Sequence, residues 1–203
     1  IAEFDQVCDE LKLIGLLPSR VHIANSSATM NHIGIASQMN NAPTMTRVGI
    51  AMYGIAADSQ SNSFGVATAD ALQTVMSLKA RVSHVQWVEA GEAVSYGLHR
   101  TLNQRSCIAT LPIGYADGLP RGLWSSGEVL IGGKRRSFAG VITMDQVMIN
   151  CESDDVQVGD EAVLIGQQGD FQITANDWAR QMGTIGYEIV CGISARVPRN
   201  YLR

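Results

Sequence analysis

Two short loops offer the donors that an anion needs. Asn25-Ser26 and Gly49-Ile50 each lie beside a short apolar stretch that we predict to be a strand. Ser26 supplies a hydroxyl and a backbone N–H, and Gly49 lets the backbone approach a ligand closely. The amides of Gly49 and Ile50 can then point at a phosphate group. A serine after a strand is also an ordinary helix cap, so this pattern alone leaves both interpretations of Ser26 open.

Arg47 lies at the end of the second apolar stretch. Arginine is seldom buried without a partner, because removing its charge from water is costly. It therefore either makes a salt bridge at the mouth of a sheet or donates hydrogen bonds to a ligand. Since a guanidinium keeps its proton at ordinary pH, that ligand would have to present an acceptor.

Tyr115 lies in a loop bracketed by glycines, Gly114-Tyr115-Ala116-Asp117-Gly118. A phenol can act as an acid or a base, but its ordinary pKa of about 10 is too high for an efficient base near neutrality. Nearby cations would be needed to favour the phenolate. The alternative is a turn tyrosine whose hydroxyl is hydrogen-bonded, since Asp117-Gly118 is a favourable turn pair.

Composition excludes several kinds of partner and site. The 203 residues carry a formal net charge of −4, so the chain lacks the excess of basic residues that is typical of nucleic-acid-binding proteins. The longest apolar run, around residues 48–57, is too short to span a bilayer, and we see no signal peptide. The four cysteines form no C-x-x-C pair and the four histidines do not cluster. We therefore expect no metal site, and reduced, mostly buried thiols in a cytoplasmic protein.

The first third of the chain predicts alternating helices and strands. Apolar residues at helical spacing open the chain, and Gly15 is a plausible stop. We predict strands over residues 21–23 and 44–48, and a helix over 28–38 that Asn25-Ser26 caps. This alternation fits the end of an α/β barrel. A shift to small and polar residues over 55–69 marks the boundary, which we place after residue 66.

Beyond that boundary the pattern is mostly β. Gly132-Gly133 predicts a tight hairpin after 129–131, because both central residues of a primed turn need positive φ. Further strands are predicted over 138–142, 147–150 and 162–165. The segment Thr143-Met144-Asp145-Gln146 is predicted to be a strand-to-turn junction with Asp145 as a local cap. One helix is predicted after Thr174, with Asp177 completing a capping box and Gly183 as its end.

Several motifs, taken together and in order, resemble the C-terminal half of the alanine racemase family. They lie at residues 22–26, 47–54, 114–118, 143–146, 187–188 and 196–199. The resemblance implies an α/β barrel remnant with phosphate-binding loops over residues 1–66, and a mostly β C-terminal domain over 67–203. It also implies part of a pyridoxal 5'-phosphate-dependent isomerase that interconverts L- and D-alanine for peptidoglycan synthesis.

The resemblance assigns cofactor roles to named residues. The phosphate would be held by four of them: Ser26, Gly49, Ile50 and Tyr187. Arg47 would donate to an unprotonated pyridine nitrogen, where most pyridoxal enzymes place a carboxylate. A pyridine ring that is not protonated withdraws electrons less strongly, which disfavours side reactions. His22 would hydrogen-bond Arg47 and orient it.

The resemblance also assigns two residues to the substrate. Racemisation removes a proton from one face of the α-carbon and returns it to the other, which two acid–base groups do most simply. In the family these are the Schiff-base lysine and the tyrosine that matches Tyr115. Met144 would hold the substrate carboxylate through its backbone N–H. Thr143 stands where the family often has cysteine, and we expect that change to be tolerated.

A homodimer with the active site at its interface is implied as well. Tyr115 and Met144 would serve the partner subunit's cofactor, while Arg47 and the phosphate-binding residues would serve their own. Besides a small amino-acid substrate, neither nucleic acid nor a membrane is expected as a partner.

The cofactor lysine is where the sequence departs from the family. In the family this lysine lies on the first barrel strand in a K-A-N-A-Y-G-like motif, which does not occur here. Lys12, Lys79 and Lys134 have other surroundings. The residues before the boundary also fall far short of the roughly 250 that a (β/α)₈ barrel takes. We therefore expect this chain alone to be inactive.

Two alternatives remain at this stage. A racemase for another small amino acid such as serine would use the same phosphate and base residues, although Tyr187 suggests a confined pocket that favours alanine. A non-catalytic oligomerisation or regulatory module is the second, and the retention of Arg47 and Tyr115 argues against it. A fold-related decarboxylase is less favoured, because we would expect a carboxylate in place of Arg47.

Overall fold

The computed structural model describes residues 1–31, 41, 45–56 and 72–202. Cα packing divides the chain into two compact units, Ile1–Val75 and Met76–Arg203. The boundary predicted after residue 66 falls within residues 57–71, which lie outside the described part. Of the helices that are described, none combines the length and the apolar character needed to cross a membrane.

The first unit begins with the predicted helix. α1 spans Ala2–Leu13, and its chain leaves the helix through Gly15 at φ +70°. Cys8 is the buried residue of this helix, whereas Val7 and Leu13 are exposed. The apolar spacing therefore predicted the helix correctly, but part of its apolar face is exposed.

The two strands predicted in the first unit are not formed over the described residues. A single parallel bridge joins Asn25 to Arg47, and the Arg47 amide donates to the Ala24 carbonyl over 2.8 Å. The predictions over 21–23 and 45–48 were therefore wrong, and residue 44 lies outside the described part. Parallel strands are normally covered by other elements on both faces of their sheet. Among the described residues of this unit, the bridge between Asn25 and Arg47 is the one parallel pairing.

Short helices follow each side of that bridge. α2 spans Ser26–Asn31, and Asn25 caps it by accepting a hydrogen bond from the Ala28 amide at 2.9 Å. The rest of the helix predicted to residue 38 lies outside the described part. A 3₁₀ helix, Ile50–Tyr53, follows Gly49 and ends at Gly54.

The second unit is built on two antiparallel sheets. The larger sheet has the order β1-β7-β4-β5 with β8 paired to β7, and the smaller has the order β2-β3-β6. The strands are β1 Leu78–Arg81, β2 His84–Val88, β3 Ser106–Leu111, β4 Glu128–Ile131, β5 Lys134–Ser137, β6 Val147–Asn150, β7 Glu161–Gln168 and β8 Phe171–Ile173. The predicted hairpin is confirmed: Gly132 and Gly133 join β4 to β5 at φ +63° and +71°.

One predicted strand of the second unit is wrong. Residues 138–142 make a single bridge, Phe138 to Ile149, and then leave the sheet. Gly140 packs so closely on Ser95 that an added Cβ would lie 2.6 Å from the Ser95 Cβ. Ser95 Oγ also donates to the Val141 carbonyl over 2.9 Å. Bonds from side chains thus replace the ladder that a strand would have formed.

Two helices complete the second unit. α3 spans Ala175–Met182 and begins with the predicted capping box, in which Thr174 and Asp177 exchange hydrogen bonds. Trp178 lies fully inside the core, and Gly183 ends the helix as predicted. α4 spans Gly186–Gly192. All four cysteines are free thiols; those at positions 8, 107 and 151 are buried, and Cys191 is exposed.

Candidate functional site

In the first unit, one hydrogen bond joins the two loops predicted to bind an anion. Ser26 is buried, and its Oγ accepts a hydrogen bond from the Gly49 amide over 2.8 Å. A serine oxygen that accepts still carries a proton to donate. Ile50 opens a 3₁₀ helix, so its amide has no carbonyl to reach within that helix. Among the described residues the Ser26 hydroxyl proton and the Ile50 amide have no acceptor, whereas the Gly49 amide is used by Ser26.

Beside these loops, Arg47 is paired with His22. Arg47 Nη1 lies 2.5 Å from His22 Nδ1. Arginine only donates, so Nδ1 is the acceptor and a neutral imidazole carries its proton on Nε2. Among the ion pairs of the described residues, none includes Arg47. The salt-bridged alternative for Arg47 therefore has no support in the described part of the chain.

These donors fit a pyridoxal phosphate group. The Ser26 hydroxyl and the Ile50 amide can donate to phosphate oxygens, and Arg47 can donate to a ring nitrogen that accepts. No carboxylate of the described residues is hydrogen-bonded to Arg47, so its charge is available to a ligand.

In the second unit, the tyrosine loop is hydrogen-bonded to the methionine turn. Tyr115 N donates to the Thr143 carbonyl and Ala116 N to the Met144 carbonyl, each over 3.0 Å. Gly114 makes this approach possible, since an added Cβ would lie 2.3 Å from the Thr143 oxygen. Tyr115 then opens a short 3₁₀ turn. The backbone thus holds two predicted site residues side by side.

The role predicted for Asp145 as a local cap is wrong. Thr143 closes the turn instead: its Oγ1 donates to the Gln146 carbonyl and accepts from the Gln146 amide. Asp145 instead accepts a hydrogen bond over 2.6 Å from Arg196, which lies 51 positions further along the sequence. Both residues can cap a turn, and the threonine hydroxyl can donate as well as accept, which a carboxylate cannot.

A cavity of about 610 Å³ opens beside this pair of loops. Tyr115 and Met144 lie in its wall, with 44% and 53% of their surface exposed. Among the described residues none makes a hydrogen bond to the Tyr115 hydroxyl, so that group has no protein partner within the described part of the chain. This differs from the turn tyrosine with a satisfied hydroxyl.

Two further residues of this cavity were missed from the sequence. Tyr96 and Arg121 lie in its wall. Tyr96 follows Ser95, which has φ +71°, a value that a serine seldom adopts. No spacing or motif in the sequence predicts that residues 25 positions apart, on separate loops, line the same cavity.

Tyr187 lies elsewhere in the second unit. It is half-buried on α4, and it does not line the cavity of Tyr115 and Met144. The residues predicted to share the phosphate with it belong to the first unit. The role of Tyr187 in binding the phosphate therefore stays a prediction.

Family models match both units. The model of the alanine racemase N-terminal domain matches residues 1–57, and that of the alanine racemase C-terminal domain matches residues 75–201. The barrel-like first unit and the β-rich second unit therefore correspond to the two domains of that family.

Curated relatives and solved structures extend this match over the whole chain. The alanine racemase of Symbiobacterium thermophilum is 44% identical over 202 residues, which are 99% of this chain and 51% of that protein. The alanine racemase of Carboxydothermus hydrogenoformans is 43% identical over 204 residues, or 52% of its length. The crystal structure of the Streptomyces lavendulae alanine racemase matches with TM-score 0.85 at 38% identity, covering 98% of this chain and 50% of that one. The chain spans about half the length of these proteins.

Proposed function

The chain belongs to the alanine racemase family, and we propose that it supplies the last barrel strands and the C-terminal domain of an enzyme that interconverts L- and D-alanine. The observation that carries the proposal is the Arg47–His22 pair beside the Ser26–Gly49 contact. Pyridoxal enzymes that need a strong electron sink place a carboxylate at the position of this arginine. A racemase benefits from the weaker sink.

Pyridoxal 5'-phosphate, when bound, withdraws electrons from the substrate and so acidifies the proton on its α-carbon. Ser26 and Ile50 would hold the phosphate by donating to its oxygens, with Gly49 allowing close approach, and the phosphate-binding role of Tyr187 stays a prediction. Arg47 would donate to the pyridine nitrogen without protonating it, because a guanidinium keeps its proton. His22 Nδ1 accepts from Arg47 and so fixes the plane of the guanidinium.

Tyr115 moves a proton at one face of the α-carbon. The residue lines the cavity, and the hydrogen bonds from its loop to the Thr143 and Met144 carbonyls fix the position of the loop. The Met144 amide has no hydrogen-bond acceptor among the described residues, which leaves it free to bind the substrate carboxylate. A lysine from the other part of the enzyme serves the opposite face. Met144 therefore binds the substrate carboxylate, and Tyr115 removes the proton from the α-carbon of L-alanine. The lysine returns a proton to the opposite face, which completes the inversion.

The assembled enzyme is proposed to be a cytoplasmic homodimer whose active sites lie at the subunit interface. In that arrangement Tyr115 and Met144 serve the partner subunit's site, and Arg47 serves its own. Its substrate is proposed to be a small amino acid.

Racemisation by the full-length enzyme tests the proposal. Purified enzyme with pyridoxal 5'-phosphate is given L-alanine or L-serine, and the D-enantiomer is quantified by chiral chromatography. We expect kcat/KM for alanine to exceed that for serine by about tenfold or more, since a confined pocket discriminates against added atoms. A preference for serine would favour the related racemase, and no turnover of either substrate would refute the proposal.

A further inference from the structure

Arg196 joins two acidic side chains that belong to different loops. Its Nη2 donates to Asp145 Oδ1 over 2.6 Å, and its Nε lies 3.3 Å from Asp117 Oδ1. Asp117 is two residues after Tyr115, and Asp145 directly follows Met144. One guanidinium therefore connects the loop of the proposed base with the turn of the proposed carboxylate-binding residue.

The carboxylate of Asp117 in turn fixes the backbone of the tyrosine loop. Its Oδ2 accepts from the Gly114 amide over 2.9 Å, and its main-chain carbonyl accepts from the Ser194 amide over 3.0 Å. The side chain is only 11% exposed. A hydrogen bond that a buried carboxylate accepts is hard to replace by water. The contact from Arg196 thus reaches a group that already holds the loop in place.

The segment that carries Arg196 is itself well anchored. Arg199 donates to the carbonyls of Ser194, Val197 and Ile193 at 2.5, 2.6 and 2.8 Å. The Arg196 amide donates to Ser194 Oγ. The guanidinium therefore starts from a backbone that other contacts hold. The hydrogen bond to Asp145 and then the charge of Asp117 raise the pKa of Arg196, which stays charged at any ordinary pH.

We propose that Arg196 is a positioning residue, which holds the Tyr115 loop and the Met144 turn at a fixed separation for proton transfer. The proposal rests on the proposed function for what the two loops do. The alternative is an ordinary surface ion pair, since Arg196 is 54% exposed and such pairs contribute little to stability. The two interpretations differ in their consequences: displacing a reacting group by about 1 Å can slow a reaction about a hundredfold without unfolding the protein.

Hydrogen exchange measures the position of the loops without any cofactor. In the full-length protein we compare wild type with Arg196→Gln, and use Arg105→Gln as the matched control, because Arg105 makes an exposed ion pair with Glu89 at 2.9 Å in the same unit. The Tyr115 and Ala116 amides should exchange about tenfold faster in Arg196→Gln, since these bonds open locally. Peptides from β3 should not change in either variant. Unchanged exchange at Tyr115 and Ala116 would overturn the proposal.

Deuterium incorporation into the substrate adds a readout that general destabilisation does not mimic. Arg196→Gln should slow exchange of the α-proton of L-alanine about tenfold more than that of D-alanine, because Tyr115 serves only one face. Equal losses in the two directions would contradict a role through Tyr115. If Arg196→Gln does not fold, Asp145→Ala removes the hydrogen bond between Arg196 and Asp145 and is judged by the same two readouts.

The two proposals can fail separately. If the wild-type enzyme racemises no alanine, the proposed function is refuted, and the exchange rates of the Tyr115 and Ala116 amides still decide whether Arg196 holds the loops. If the wild type is active and both Arg196→Gln and Asp145→Ala behave like the Arg105→Gln control, the positioning role is refuted and the racemase stands.

Discussion

The two units bury their apolar side chains to very different extents. Among the described residues of the first unit, the buried hydrophobic residues are Cys8, Ala24 and Ile55. The second unit has a continuous core that includes Leu130 and Trp178, both at most 1% exposed. One unit therefore carries its own core, and the other exposes surface that would be covered in a closed barrel.

The difference follows from how each unit pairs its strands. Antiparallel strands joined by short hairpins find their partners locally, as β4 and β5 do across two glycines. Parallel strands need crossover connections and neighbours on both sides. This chain, which spans about half the length of its relatives, therefore completes the antiparallel core of the second unit but not the parallel core of the first.

The largest effect that we expect is the absence of activity from this chain alone. With pyridoxal 5'-phosphate added, it should racemise no alanine in a chiral assay, because the motif that carries the family's Schiff-base lysine does not occur in its sequence. The full-length enzyme at equal concentration is the control. Turnover that disappears on Lys12→Ala would show that the first unit works without the rest of the barrel.

Replacing the proposed base tests the contribution of the second unit to chemistry. In the full-length enzyme, Tyr115→Phe should slow α-proton exchange of L-alanine about 10²–10⁴-fold, the usual range for a lost general base. Exchange of D-alanine should survive better, because the lysine still serves that face. Mass spectrometry in deuterated water measures both. Near-wild-type exchange from both enantiomers would show that Tyr115 is not the second base.

Two leucine substitutions compare the cores directly. Leu130→Ala should lower the free energy of unfolding of the second unit by about 2–5 kcal/mol, the cost of a cavity in a packed core. Leu16→Ala, at a residue 67% exposed, should change it by less than about 0.5 kcal/mol. All three tryptophans lie in the second unit, so fluorescence in a urea titration reports on that unit. Equal shifts would show that the units share one core.

The smallest expected difference between the two units is in the reactivity of single cysteine thiols. Cys8 and Cys151 are both buried, at 3% and 0% exposure, but they belong to different units. At pH 8 iodoacetamide should modify Cys8 about tenfold faster, because a buried thiol reacts only when its surroundings open. Burial also raises the pKa of Cys151 to about 11, so its reactive thiolate is scarce at this pH. Exposed Cys191 is the positive control, and equal rates at Cys8 and Cys151 would contradict the difference between the units.

Local signals in the sequence were sufficient for the elements that depend on near neighbours. The Gly132-Gly133 hairpin and the Thr174 capping box both form as predicted. Each is specified by a few adjacent residues, whose backbone preferences and hydrogen bonds do not depend on distant parts of the chain. In the segment predicted as a strand over residues 138–142, the Val141 carbonyl accepts instead from Ser95, which lies more than 40 positions away.

The sequence by itself determined the family, the helices and hairpin of local origin, and the residue types that can bind a cofactor and move a proton. Only the tertiary structure decided that Arg196 reaches both Asp117 and Asp145, and that Thr143 rather than Asp145 closes its turn. The physical reason is range: turn and helix preferences act over a few residues, whereas an ion pair across 51 positions depends on how the whole unit packs.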